Sequence, residues 1–502
     1  MERLLSTDMS RRILLLNLLY GSEDWLTTEK LSKKLHCSTK TVMMDCRYIE
    51  GRWPEHLSID MSKKYGVKLS VSAHHSIHDI YTDIIKNSDT FSLLETVFFH
   101  PGEYSESIEK RCFTSSSSIY RLSKRINIPL RERNIMMERN PFIFSGKSER
   151  EIRYFFTSYF VEVYGIHHWP FQLDKEKILE LVKQINEDFQ LYLSDIRLIH
   201  MVFSIAVTLT RINQGFSTEN EWPTSSAFSG FLAQSKVPDY QEKLDSINSF
   251  SKKDQNYDWY KDFYYTVFWW IFGQEKETDK EIISSAAASL IEDLVNELDI
   301  PIDAISSQKI KQVIENIYYL HQVFPYKKHI IYSRFFYSSK SIRQNFILFS
   351  NTISKTLSHL EKRDQFPWKS MYLNEILHDF MMYWKNLPTY LYSKRSPISI
   401  TVLSDLGKEH AEVLGSILKL NFCNTINVVT QNTSYFDFNA RKSTNNCDLY
   451  VSNHHIDYFA KDKIVVVEDI LSPRNIIELR KIIERSQLRA HRNAKTTAAN
   501  MC

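Results

Sequence analysis

The amino-acid sequence predicts a mainly helical, multidomain protein with a small α/β domain towards its C-terminal end. Glycine is scarce, with 11 residues among 502, and long stretches rich in Leu, Ile, Lys and Glu favour helices over turn-rich β structure. A chain of this length exceeds one hydrophobic core, so several domains are expected. After Pro397 the pattern changes to β-branched runs alternating with helical segments, which indicates a small parallel, flavodoxin-like sheet.

The N-terminal segment has the pattern of a helix-turn-helix. A first helix is expected at residues 10–20, with Gly21 after it as a left-handed cap. A second helix, TEKLSKKLH, is capped by Thr27 or Thr28. Ser38 then caps a third helix, TKTVMMDCRYIEG, after a tight turn. This order of positioning helix, turn and recognition helix is typical of DNA-binding domains.

The third helix of this segment supplies candidate DNA contacts. Val42 and Ile49 would face the core, which leaves the opposite face for DNA. The candidates on that face are Thr39, Lys40, Thr41 and Arg47. The alternating stretch LSIDMSKKYGVKLSVSA turns at Tyr65-Gly66 and predicts a β-hairpin wing. The tip of this wing, where phosphate would be met, carries Lys63, Lys64 and Lys68.

The same arrangement is then repeated with a different sequence. Helices are predicted at 92–100 and 105–113, separated by Pro101-Gly102. Serines 115–118 begin a third helix, SSSIYRLSKRINIPL, and IMMERNPFIFSGKSE is a second wing. This helix presents Ser116, Ser117, Tyr120, Arg121, Lys124 and Arg125. Two such units in tandem are a more specific signal of DNA binding than one.

Positive charge is concentrated although the formal net charge is only +3. Residues 111–150 carry nine Lys or Arg against three Asp or Glu, and the last eighteen residues carry four basic side chains and no acidic one. Such clustering is the electrostatic pattern expected of a surface that meets phosphate, while any single cluster is more commonly a solvated face.

The central part of the chain has helical patterning almost throughout. Ser148-x-x-Glu151 forms a capping box that opens the next helix. A stretch rich in Ser, Gln and Asn at 213–236 is predicted to be a loop between helices. Two helical bundles of similar size, divided near 275–280, are the simplest partition.

Membrane insertion and disulfide bonding are not expected. No apolar run reaches the roughly 20 residues that cross a bilayer, and the longest, 201–210 and 264–273, suit buried helices. The six cysteines are scattered without CxxC pairs, which argues against a disulfide framework and a zinc site. We therefore expect a cytoplasmic protein without metal or cofactor.

The predicted partition has six parts. They are winged helix-turn-helix domains at 1–75 and 76–147, helical bundles at 148–277 and 278–394, an α/β domain at 395–486, and a basic, disordered tail at 487–502.

This order of parts resembles the Mga family of virulence regulators in Gram-positive bacteria, which includes RofA-like and AtxA-like proteins. The most specific segments are TEKLSKKLHCSTKTVMMDC, SSSSIYRLSKRINI and the strands ISITVLSD, CDLYVSN and KIVVVED. The resemblance implies winged helices that bind double-stranded promoter DNA, two bundles like phosphotransferase-system regulation domains, and a last domain like enzyme IIB. It also implies a homodimer or higher oligomer, and histidine phosphorylation by the phospho-carrier protein of that system.

Phosphorylation requires an accessible imidazole nitrogen with a near-neutral pKa, and the added phosphate brings nearly two negative charges. The candidate histidines are His200 in the first bundle, and His378 and His359 in the second. A histidine on an apolar helix is more often simply a buried or capping side chain, and His359 lies among charged neighbours.

The C-terminal domain departs from the enzymes that it resembles. Active IIB domains carry a phosphorylated cysteine directly after the first strand, where this sequence has Ser404 and Asp405. Cys423 and Cys447 precede later strands. We therefore expect an interaction or dimerisation role and no catalysis, and the sequence lacks the GxxxxGK[ST], GxSxG and HExxH motifs. The alternatives are a phosphotransferase-system component and a protein-interaction scaffold.

Overall fold

A computed structural model describes residues 4–487, apart from 23, 166–167, 190, 192, 194, 223–225, 234–236, 248–257, 273–276, 327–328, 330–332, 394–396, 431–446, 457–459, 461–462 and 484–485. The chain forms two compact units. The first comprises Met1–Lys280 and Asn316–Arg334, and the second Glu281–Glu315 and Phe335–Cys502. The described residues are mainly helical, with a small parallel sheet near the C-terminal end, which confirms the predicted fold class. The six-part partition stays a prediction.

The first unit begins with the predicted helix-turn-helix and wing. Its elements are α1 (Thr7–Tyr20), α2 (Thr28–Leu35), α3 (Thr39–Arg52), β1 (Leu57–Ser62) and β2 (Gly66–Val71). The two strands are antiparallel, with Leu57 opposite Val71. The left-handed cap predicted at Gly21 is wrong, because its φ is −81°. The Gly21 N–H instead donates to the carbonyls of Asn17 and Leu19 at the end of α1.

A helix that the sequence analysis did not predict connects this module to the next. The second module comprises α4 (Ile77–Lys86), α5 (Asp89–Phe99), α6 (Ser105–Cys112), α7 (Ser116–Arg131), β3 (Ile135–Met137) and β4 (Phe144–Gly146). In α4, the Tyr81 hydroxyl donates to the Asn17 side chain of α1. The indole N–H of Trp53 donates to Asp83 at 2.9 Å. Because α4 also contacts α5, it fastens the two modules to each other.

The first bundle follows within the same unit. It contains α8 (Glu149–Tyr164), α9 (Lys175–Asp188), α10 (Asp195–Asn213), α11 (Ser226–Leu232), α12 (Val237–Ile247) and α13 (Trp259–Phe272). The loop predicted at 213–236 is therefore wrong where α11 and a 3-10 turn at Glu219–Glu221 occur. The side chain of Ser148 accepts the Glu151 N–H at the start of α8, which is the N-cap half of the predicted capping box. One continuous hydrophobic core extends from Leu4 to Phe268.

Ion pairs fix the interior of this bundle. Arg211 of α10 pairs with Glu149 at 2.7 Å, and Arg153 of α8 pairs with Asp262 of α13 at 2.9 Å. Asp262 also accepts a hydrogen bond from the Thr218 hydroxyl. These side chains are nearly all buried, so each charge depends on its partner for stabilisation.

The remaining helices run into the second unit. They are α14 (Glu277–Leu298), α15 (Ala304–Val323), α16 (Arg334–Asn345), α17 (Ile347–Asp364), α18 (Trp368–Tyr383) and α19 (Leu387–Ser393). Helices α17 and α18 pack on each other. The buried Trp384 donates its indole N–H to the carbonyl of Pro301 at 3.0 Å. No helix among the described residues is long and apolar enough to span a membrane.

The α/β domain is built as predicted. It contains β5 (Ile398–Leu403), α20 (Lys408–Phe422), β6 (Ile426–Thr430), β7 (Leu449–Ser452), β8 (Ile464–Val466) and a last helix at 473–483. The strands are parallel in the order β6-β5-β7-β8, so their carboxyl ends share one edge. Of the predicted tail only Gln487 is described, and its side chain donates to the carbonyl of Thr425 at 3.2 Å. Residues 488–502 lie outside the described residues.

Candidate nucleic-acid interface

The first helix-turn-helix is formed by local hydrogen bonds at its helix ends. The Thr27 hydroxyl accepts the Lys30 N–H at 3.3 Å at the start of α2, which resolves the predicted choice of cap. His36 ends α2 in the left-handed conformation, with φ 51°. Ser38 then accepts the Thr41 N–H at 3.1 Å and caps α3, as predicted. The turn between the two helices is therefore three residues long, from His36 to Ser38, and it sets the angle between α2 and α3.

The outer face of α3 carries the predicted side chains. Val42 and Ile49 are buried as expected, and Thr39, Lys40 and Arg47 are exposed. Lys40 and Arg47 are seven residues apart and so lie on one face of the helix. Met44 lies between them and is 60% exposed. Thr41 is half buried, and its hydroxyl lies 2.8 Å from that of Ser38.

A buried carboxylate, which the sequence analysis did not single out, fixes α3 to α1. Asp45 is 2% exposed. Its oxygens accept hydrogen bonds from Arg11 at 2.6 and 3.2 Å and from Arg12 at 2.9 Å. The hydrogen bond to Asp45 raises the pKa of the Arg11 guanidinium above its ordinary value. Two cations clamp one carboxylate, so α3 is anchored on the side opposite its exposed face.

The first wing places two of its three predicted lysines at the tip. Lys63 and Lys64 are exposed in the turn between β1 and β2. Lys68 is half buried within β2, so its predicted place at the tip is wrong. Gly66 has φ +101°, and a Cβ at this position would lie 2.1 Å from the carbonyl oxygen of Leu26. This glycine therefore lets the hairpin pack against the segment before α2.

The second module repeats this construction. Phe113 ends α6 in the left-handed conformation with φ 49°, as His36 ends α2. Ser115 stands at the N-cap position of α7, but its hydroxyl bonds to those of Ser117 and Ser118 rather than capping the backbone. The side chain of Asn127 bonds to both backbone groups of Met137, at 2.9 and 2.7 Å, and so ties the wing to α7.

The predicted side chains of α7 form one cationic and aromatic surface. Exposed on it are Ser116, Ser117, Tyr120, Arg121 and Lys124. Arg125 is half buried. The Lys124 ammonium lies 4.4 Å from the Tyr120 ring centroid, and the Arg139 guanidinium lies 4.5 Å from it. The pKa of Tyr120 is lowered, chiefly by its hydrogen bond to Lys124. Arg139 comes from the second wing and was missed, because only the folded wing brings it beside α7.

The candidate phosphorylation sites have different environments. His200 is half buried in α10 of the first unit. In the second unit, His378 is half buried in α18, with its Nδ1 2.9 Å from the hydroxyl of Ser338. His359 is exposed on α17.

A hydrogen-bonded cluster occupies the carboxyl edge of the C-terminal sheet. The Ser404 hydroxyl lies 2.7 Å from Nδ1 of His410, and Nε2 of His410 lies 2.7 Å from the carbonyl of Asp469. The amide of Asn453 donates to Asp405 at 2.6 Å and to Asp469 at 2.8 Å. These bonds join the loops that follow β5, β7 and β8, so Ser404 and Asp405 both hold loops together.

Two family models match the N-terminal part of the chain. Residues 6–65 match the HTH domain of the M protein trans-acting positive regulator (MGA), and residues 73–160 match the Mga helix-turn-helix domain. The first match covers α1 to β1, and the second covers the whole second module and extends into α8.

Three relatives are named as regulators. A Streptococcus pneumoniae serotype 4 protein named "Putative trans-acting regulator" is 24% identical over 83% of this chain and 86% of its own length. The capsule synthesis positive regulator AcpA of Bacillus anthracis is 30% identical over 43% of this chain and 45% of its own length. The capsule synthesis positive regulator AcpB of the same organism is 27% identical over 42% of this chain and 44% of its own length.

Proposed function

Because this chain is a transcriptional regulator of the Mga family, we propose that both of its winged helices bind double-stranded promoter DNA. The observation that carries the proposal is the repeated module, in which an exposed recognition helix lies beside a wing with exposed cationic side chains. Helices α3 and α7 enter major grooves, and the wings contact phosphates. The names of AcpA and AcpB as positive regulators support activation of target genes.

Each predicted contact has a role in this proposal. In α3, Lys40 and Arg47 approach base edges or phosphate, and Thr39 and Thr41 lie at the helix start, where phosphate is commonly bound. In α7, Arg121 and Lys124 take the corresponding roles. Phosphate contacts near these helices are assigned to Lys63, Lys64, Ser116, Ser117, Tyr120, Arg125 and Arg139.

The salt dependence of DNA affinity tests the second module. Arg121→Ala with Lys124→Ala removes two exposed cations from α7. Loss of two phosphate contacts lowers affinity and reduces the slope of log affinity against log salt by about 2. The matched control is Lys309→Ala with Lys311→Ala, which removes two exposed cations from α15 and should leave the slope unchanged. Equal slopes in both double variants would contradict DNA binding by α7.

We propose that histidine phosphorylation in the helical bundles modulates this regulator. His200 and His378 are the preferred sites, and the Ser338 hydroxyl beside His378 supports a role for that residue in orienting the ring. Incubation with labelled phosphoenolpyruvate and the general phosphotransferase proteins should label the wild type. His200→Ala and His378→Ala should each lose part of the label. His359→Ala, at the exposed third candidate, is the comparison variant and should keep the label of the wild type. Label that survives both substitutions together would contradict the assignment.

We propose that the α/β domain serves assembly in the cytoplasm and has no catalytic role. Ser404 stands in place of the phosphorylated cysteine and is hydrogen-bonded to His410. Two apolar side chains of α20, seven residues apart, are exposed to solvent, Leu420 by 79% and Val413 by 46%. They support a homodimer contact along this helix. Leu420→Glu should shift the sedimentation coefficient towards the monomer, whereas Lys419→Glu should not.

The competing function is a phosphotransferase-system component. Such a protein would pass label onward to a sugar, and the proposed regulator would not. Onward transfer in the labelling experiment would favour this alternative over an assembly role for the α/β domain.

A further inference from the structure

The junction between the first wing and α4 contains a cluster of ligand-type side chains that the DNA-binding function does not use. We propose that His56, His75 and Asp79 bind one divalent transition-metal ion of the zinc class. Their ligand atoms all lie within 4.8 Å of one another. Two imidazoles and one carboxylate are a donor set that such ions use, with the fourth position taken by water. Among the described residues, this is the one group of three or more side chains with that geometry.

The backbone holds the two imidazoles together. The carbonyl of His56 accepts the Ser72 N–H at 2.8 Å, which extends the β1–β2 ladder beyond its last pair. The His75 N–H donates to the carbonyl of Ser72 at 3.2 Å. Both histidines therefore lie at the open end of the hairpin, with ring centroids 4.0 Å apart. The chain thus brings two nitrogen ligands close before any ion is bound.

Asp79 is oriented by the cap of α4. Its Oδ2 accepts the Ser76 N–H at 2.9 Å in a capping box, in which the Ser76 hydroxyl in turn accepts a backbone N–H of the first turn. A hydrogen bond of this kind fixes the direction of a ligating carboxylate. The carboxylate is exposed, so an ion can enter from solvent. His74, although next to His75 in the chain and also exposed, is outside the cluster.

A bound ion would join two parts of the first unit. His56 belongs to the hairpin whose other end carries Lys63 and Lys64, and Asp79 belongs to α4, the first helix of the second module, which contacts α5 and α8. Coordination by all three side chains therefore fastens the first wing to the helix that connects the modules. The ion would thereby order the segment from 72 to 79.

Cobalt titration of the full chain tests the site. After chelator treatment, wild-type protein should bind one equivalent of Co²⁺ with the visible absorption of a nitrogen-coordinated ion, and Zn²⁺ should displace it. His75→Ala should lose this absorption, and the matched control His74→Ala should retain it. Asp79→Asn, which keeps an oxygen for the Ser76 N–H, should weaken binding by at least about tenfold.

Hydrogen exchange gives a second readout that does not depend on DNA binding. Zn²⁺ should slow exchange of the amides at 72–79 in the wild type and in His74→Ala, but not in His75→Ala. Unchanged Co²⁺ absorption and affinity in both His75→Ala and Asp79→Asn would overturn the proposal, because the ion would then bind elsewhere. If His75→Ala does not fold, Asp79→Asn alone decides between these outcomes.

Discussion

Neutralising the buried carboxylate of α3 is expected to loosen the first DNA-binding module. Asp45 is 2% exposed and accepts hydrogen bonds from Arg11 and Arg12 at 2.6, 3.2 and 2.9 Å. Removing one partner of a buried ion pair costs about 3–5 kcal/mol. Because the arginine side chains remain 18% and 19% exposed, water recovers part of this, and we expect about 2 kcal/mol for Asp45→Asn.

Hydrogen exchange followed by mass spectrometry measures this effect on α3 itself. A loss of about 2 kcal/mol corresponds to roughly 30-fold faster exchange of the protected α3 amides. Asp8→Asn is the matched control, since Asp8 pairs with the same Arg11 at 3.1 Å but is 66% exposed. Its loss should change exchange by less than about fivefold. If Asp45→Asn exchanged like the wild type, the carboxylate would not be what holds α3 on α1.

Further expectations concern the wing, a buried glutamate and the first bundle. Gly66→Ala should destabilise the first hairpin by about 1–3 kcal/mol, because its Cβ would lie 2.1 Å from the Leu26 carbonyl oxygen; a normal thermal midpoint would refute this. Burial raises the pKa of Glu95 above its ordinary 4.5, so folding favours the protonated form. The resulting stabilisation is complete below pH 4.5 and is lost as pH rises through the raised pKa of Glu95. Glu95→Gln should therefore reduce the fall in the free energy of unfolding with rising pH above pH 4.5. Asp262→Asn removes one of the two carboxylates that pair with the buried Arg153 and leaves Glu149 at 3.2 Å. We expect a cost of about 3 kcal/mol, measured by thermal unfolding; an unchanged midpoint would show that the pair with Asp262 is not required.

Patterns confined to a few neighbouring residues predicted most of the fold. Ser38 and Thr27 cap their helices because an oxygen at the N-cap reaches a backbone N–H three residues on. The β-branched runs after Pro397 form the parallel sheet, and its two central strands, β5 and β7, are buried on both faces. The missed helix α4 also had a local signal, a capping box at Ser76 followed by apolar residues at helical spacing.

Contacts between distant residues could not be predicted from such patterns. Asp45 looks like an ordinary polar residue of α3, and its role depends on arginines 33 and 34 positions earlier. Arg139 meets Tyr120 only because the second wing folds back on α7. The left-handed cap predicted at Gly21 was wrong, whereas the left-handed residues that end α2 and α6 are His36 and Phe113, which are not glycines. The spacing of His56, His75 and Asp79 along the sequence does not indicate that they could bind one metal ion.

Footprinting on one selected DNA fragment tests most directly whether both modules bind DNA. The fragment is obtained by repeated selection of genomic DNA on the full chain and is then probed with hydroxyl radicals. We expect two protected regions in the wild type. Lys40→Ala with Arg47→Ala should lose one region, and Arg121→Ala with Lys124→Ala should lose the other. A footprint that neither pair of substitutions alters would contradict DNA binding through α3 and α7.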